Sequence, residues 1–138
     1  MQATEDIKAA NSSMENKHFE WACFQSQQSG EKALKALLLA LNIDAWGHGL
    51  VHLLKEWKEV TQENPEEFQE IDIVVFQELI RNCQELDRHY IQPRYPNGFA
   101  SGYPAEYYNQ KIAKESITYA KNIIAFVKKE ITKISSSE

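Results

Sequence analysis

Apolar residues recur at helical spacing along nearly the whole chain, and this confines it to an all-α fold. Between residues 17 and 41, Phe19, Cys23, Gly30, Leu34, Leu37, Leu38 and Leu41 fall on one stripe. Val51, Leu54 and Trp57 continue the pattern. Phe76, Leu79, Ile80, Cys83, Leu86 and Tyr90 form another stripe, and Ile112, Ile117, Ala120, Ile124, Val127 and Ile131 a last one. The only β-branched run, Ile71-Asp72-Ile73-Val74-Val75-Phe76, has no second run to pair with and therefore reads as helix. Helices are expected over about 4–13, 17–41, 48–60, 64–90 and 104–133. Asn64-Pro65-Glu66-Glu67 carries the signals of a helix start: a capping Asn, a first-turn Pro, and acids at the positive dipole end. Fairly short connections between long helices predict an antiparallel up-and-down four-helix bundle, with an additional short helix at the N-terminus.

The expected fold is one domain over residues 1–134, with 135–138 as a flexible tail. A chain of 138 residues that is 43% hydrophobic and 25% charged can build a real core. No apolar run reaches the length of about 18 residues that a membrane helix needs. The first residues lack the basic and apolar regions of a secretory signal. Two cysteines are too few for a disulfide framework, so Cys23 and Cys83 read as buried free thiols in a reducing cytoplasm. The net charge of −5 argues against generic nucleic-acid binding. It conceals an asymmetry: residues 56–87 carry ten acidic and two basic side chains, residues 88–138 eight basic and four acidic. A local anion site in the basic third, or merely two solvated faces of opposite sign, would produce that asymmetry.

The helical pattern breaks at Ile91-Gln92-Pro93-Arg94-Tyr95-Pro96-Asn97-Gly98. Three of the four prolines and two of the five glycines lie between Ile91 and Pro104. Pro93 and Pro96 bias the residues before them away from α, and Asn97-Gly98 is a turn signal. Long connections of this kind are often functional. Arg94, between two prolines and beside Tyr95, would present a planar cation to an anion.

Other polar positions offer alternatives. Gln28, Glu31, Lys32 and Lys35 follow i, i+3, i+4, i+7 spacing, with Glu31 and Lys35 placed for an ion pair. They are either an ordinary solvated face or a polar rim that faces Arg94 or a partner subunit. His48 and His52 stand four apart, but no H-E-x-x-H pattern accompanies them, so a capping or packed His48 is favoured over a metal site. His89, after Asp87 and Arg88, is either a helix-end partner or a general acid–base. Neither G-x-x-x-x-G-K-[ST] nor G-x-G-x-x-G is present.

Two blocks together resemble the HEPN family of small all-helical domains. The first runs from Phe19 to Leu38, with Gln28-Ser29-Gly30-Glu31-Lys32-Ala33-Leu34-Lys35-Ala36-Leu37 inside it, followed by Trp46-Gly47-His48-Gly49-Leu50. The second is Leu86-Asp87-Arg88-His89-Tyr90-Ile91-Gln92-Pro93-Arg94-Tyr95-Pro96. They match the family patterns Q-x-x-E-K-x-x-K-A-L, G-H-x-L and L-D-x-x-Y-I-x-x-R-Y-P. The resemblance implies an up-and-down bundle that forms a homodimer, with a cleft near the dimer interface. Some members are ribonucleases or toxins that use R-x(4–6)-H. Here Arg81, Arg88 and Arg94 are the only arginines, and none stands at that distance before His89. The R-Y-P branch implies instead a non-catalytic domain that binds a nucleotide and partners a minimal nucleotidyltransferase. Arg94 and Tyr95 would then hold the ligand, with Lys32, Lys35 and Glu31 beside them. The alternatives are a structural toxin- or antitoxin-type partner with no ligand of its own, or an unorthodox ribonuclease using His89.

Overall fold

A computed structural model describes residues 2–63, 72–90 and 107–136. They form five helices in the order α1 (Gln2–Glu15), α2 (Phe19–Ala40), α3 (Leu50–Glu63), α4 (Ile73–Asp87) and α5 (Gln110–Ser136). No strand occurs among the described residues. The fold is the expected all-α up-and-down bundle with one additional helix, α1.

Helix α2 is the central post, in contact with every other helix. It buries Cys23, Leu34, Leu37 and Leu38, and its core joins Leu53, Leu54 and Trp57 of α3, Leu79 and Leu86 of α4, and Ile123 and Val127 of α5. Gly30 is needed here for space. A Cβ at this position would stand 3.0 Å from Leu50 Cδ1 and 3.4 Å from Ile123 Cδ1, both on fully buried side chains. The absence of a side chain lets the start of α3 and the middle of α5 close onto α2 together.

The helix ends show how the chain departs from simple periodicity. Helix α2 ends in a Schellman motif. Asn42 takes the left-handed conformation at φ 61°, its N–H bonds to Leu39 O, and Ile43 N–H bonds to Leu38 O, each at 2.9 Å. Helix α4 starts at Ile73, not at Asn64. The Asp72 side chain accepts from Val74 N–H at 2.8 Å, so it satisfies an orphan first-turn donor. The expected Asn64 cap lies outside the described residues. Helix α5 begins at Gln110 rather than Pro104, because Asn109 Oδ1 accepts from Ile112 N–H at 2.9 Å. At its far end α5 includes Ser135 and Ser136, which the sequence assigned to a flexible tail.

Both cysteines are free and buried. Burial pushes the Cys23 thiol up to about 11, although Ser116 Oγ donates to its sulfur at 3.5 Å. Burial raises Cys83 as well. Among the described residues, no helix is long and apolar enough to cross a membrane.

Candidate functional site

The N-terminal turn of α3 has backbone N–H groups that its own helix cannot satisfy. The last residue of α4 satisfies them. Asp87 Oδ1 accepts from Leu50 N–H at 2.8 Å, and Oδ2 accepts from Val51 N–H at 3.2 Å. Burial raises the Asp87 carboxyl above the usual carboxylate range, while the bonds from Leu50, Val51 and Gln27 pull it back down. Gln27, fully buried in α2, donates from Nε2 to His48 O at 3.0 Å, and Gln28 donates to Gln27 Oε1 at 2.8 Å. The α2 amides, the entry into α3 and the end of α4 are therefore one hydrogen-bonded unit.

Glu31 stands one turn further along α2 and is only 7% exposed. A carboxylate so deep requires partners. His48 Nδ1 lies 3.0 Å from Glu31 Oε1, and Lys35 Nζ lies 3.4 Å from Oε2. The His48 ring stacks on Tyr90, with centroids 5.0 Å apart and 16° between planes. Glu31 is thus not part of a solvated face. It anchors a cation and an imidazole beside Tyr90, the residue at which the described part of α4's exit ends. Arg94 and Tyr95 lie outside the described residues.

The structure does not bring Lys32 to this group. Its Nζ pairs with Asp6 on α1 at 2.8 Å. One residue is about 100° around a helix, and that rotation carries Lys32 from the α3 side of α2 to the α1 side. His52 also points elsewhere, with Nε2 3.8 Å from Glu56. No group of three or more possible metal ligands occurs among the described residues.

His89 lies two residues beyond α4, and its ring is 3% exposed. Its backbone N–H donates to Leu86 O at 2.9 Å. The ring is tilted against Tyr107 and Tyr108, with centroids at 6.2 and 5.6 Å. Its Nδ1 is buried with no hydrogen-bond partner among the described residues. Burial, and then the positive charge of Arg88, lower its proton affinity to about 4. The imidazole is therefore neutral at physiological pH and shielded from solvent. Tyr108 belongs to a small core with Ala22, Cys23 and Ala113.

The two sequence blocks, far apart in the chain, meet through Asp87–Leu50 and Glu31–His48–Tyr90. The HEPN domain family model matches residues 1–131. This chain belongs to the HEPN domain family. Several solved structures share its architecture. TT1696 from Thermus thermophilus superposes with a TM-score of 0.73 at 32% identity, covering 94% of this chain and 92% of that one. ST0689, an archaeal HEPN homologue, gives 0.68 at 32% identity with the same coverage. A HEPN domain protein from Thermotoga maritima gives 0.62 at 27% identity, covering 93% of this chain and 92% of that one. A Methanocaldococcus jannaschii protein carrying the name "Putative toxin MJ1304" is 27% identical, over 91% of this chain and 81% of its own.

Proposed function

We propose that this HEPN chain is a non-catalytic cytoplasmic domain that binds a nucleotide or another phosphate ligand at a cleft near Arg94 and Tyr95. It would act as a homodimer and partner a minimal nucleotidyltransferase. The observation that carries this reading is the buried Glu31, which holds Lys35 and His48 in front of Tyr90. Lys35 is tethered by a carboxylate and still partly exposed, so a phosphate can compete for it. Arg94 follows Tyr90 by four residues and supplies a second, planar cation. Tyr95 adds a stacking surface.

The test is thermal melting with ATP and GTP. Wild type is expected to shift upward with nucleotide. Arg94→Lys and Lys35→Ala should melt near wild type without ligand and lose that shift. If Arg94 only pins its segment to the bundle, Arg94→Lys will lower melting with or without nucleotide. An absence of any shift in wild type at millimolar nucleotide defeats the ligand reading.

A second reading, a toxin- or antitoxin-type partner without a ligand, is favoured by the name of the Methanocaldococcus relative. Its test is co-purification with a minimal nucleotidyltransferase that survives both substitutions. The buried, neutral His89 does not favour a ribonuclease. RNA cleavage lost in His89→Ala would reverse that judgement.

A further inference from the structure

The solvent side of α5 repeats every seven residues. Lys114, Lys121 and Lys128 are exposed, and each is followed four positions later by a small exposed residue: Thr118, Ala125 and Thr132. Seven residues make two turns less about 20°, so the lysines lie nearly in line, about 10 Å apart. The two acids of α5, Glu115 and Glu130, stand about 110° and 170° around the helix from that line. Glu130 is in any case paired with Lys133 at 3.2 Å. None of the three lysines forms an ion pair among the described residues, whereas Lys8, Lys32 and Lys133 do.

Beside this line, between α5 and α1, runs an open groove of about 320 Å³. Lys121, Ala125 and Lys128 line it, and Ile7 of α1 and Ile124 of α5 supply its apolar floor. No acid lines it among the described residues. The acids of α1, Glu5 and Asp6, are engaged by Lys8 and Lys32. The arrangement discriminates between anionic occupants. A second copy meeting this face about a two-fold axis would set lysine against lysine. A phosphate backbone would neutralise the lysines and leave the apolar floor unfilled. Ile7 and Ile124 are only 7% and 8% exposed, too recessed to enter a bilayer. Side chains that project from a partner's own helix can reach them, as in helix-in-groove recognition. A lysine every seven residues selects a helix with acids at the same interval, as flanking charges do in paired helices. The net charge of −5 does not prevent this, because exposed charges farther away than about 8 Å are largely screened.

We propose that the α1–α5 groove, with the lysine line beside it, is a docking surface for an acidic amphipathic helix of a partner protein. Apolar side chains of that helix enter the groove over Ile7 and Ile124, and its acids meet Lys121 and Lys128. The surface shares no residue with the Glu31–His48–Tyr90 group and does not depend on a ligand there.

The experiment is fluorescence anisotropy of the full chain with a labelled helical peptide of about 15 residues, stapled on its far side. The peptide carries two Glu seven positions apart, with Leu three and four positions after the first. Wild type is expected to bind it. Replacing both Leu by Ser, at unchanged charge, should weaken binding by about tenfold or more. Lys121→Glu/Lys128→Glu should weaken it by about tenfold, and a peptide with Lys in place of both Glu should then bind that variant better than wild type. Ala125→Phe fills the groove from an exposed position and should abolish binding at unchanged melting temperature. Lys35→Ala should bind the peptide as wild type does. The proposal is overturned if the peptide does not bind wild type, or if the Ser peptide binds as tightly, which would leave a charge patch without a groove. It is overturned equally if a uridine oligomer or phosphatidylglycerol vesicles bind more tightly than the peptide and lose binding in Lys121→Glu/Lys128→Glu.

Discussion

Acidification should destabilise this protein through one imidazole. His89 is buried between Tyr107 and Tyr108, and its proton affinity falls from 6.5 to about 4. Unfolded, the ring takes up a proton as pH drops through about 6.5. Folded, it does so only near pH 4. Between those values the unfolded chain binds more protons, so acid favours unfolding. The stabilisation is whole above pH 6.5, declines as pH falls, and is gone below about 4. That depression corresponds to about 3 kcal/mol at most, a large fraction of the roughly 5–15 kcal/mol that holds a typical domain together. Asp87 acts in the opposite sense because its affinity is raised. The measurement is therefore a difference. Urea unfolding followed by circular dichroism, in steps from pH 7 to pH 4, is compared for wild type and His89→Leu. Wild type should lose about 3 kcal/mol more than the variant across this range. Parallel pH profiles for the two proteins would show that His89 is charged or solvated in the folded state, and the placement of its ring would be wrong.

Asp87→Ala leaves the Leu50 and Val51 N–H groups without their acceptor and should cost about 2–3 kcal/mol in urea unfolding. Asp87→Asn, which can still accept, should recover most of that loss. Gly30→Ala gains about 1 kcal/mol of helix propensity but forces a methyl against the buried Leu50 and Ile123. Overpacking of about 1–3 kcal/mol should win, and a raised melting temperature would contradict it. Cys23 and Cys83 should resist iodoacetamide at pH 8 in the folded protein and react in urea, as mass spectrometry would report, because burial disfavours both thiolates.

The existence of every helix was legible because a buried stripe imposes a period, and Leu34, Leu79, Ile117 and Val127 obey it. The helix starts were less legible. Asp72, a single acid inside a β-branched run, caps α4, and its signal was masked by the stronger-looking Asn64-Pro65 pair. At the site, the resemblance drew attention to Glu31, Lys35 and His48, but helical spacing alone made Glu31 look solvated. Its burial depends on His48, which arrives from a different segment of chain. Lys32 seemed equivalent to Lys35 because both suit i+4 and i+7 spacing, and only the position of α1 separates them. The enclosure of His89 was invisible because Tyr107 and Tyr108 lie beyond a long intervening stretch.

The bond from Asp87 to Leu50 spans 37 positions of chain. Helix α3 therefore has no start signal of its own: Gly47, His48 and Gly49 precede it, and the acceptor for its first donors is made last, at the final residue of α4. During folding, the first turn of α3 can form only as an unanchored, fraying end until the end of α4 has come back beside it. Bringing two points 37 positions apart together costs entropy which neither helix recovers alone. The two helices are thus obliged to order together, and in Asp87→Ala the early amide protons of α3 should exchange freely while the Trp57 end, packed on Phe126, stays protected.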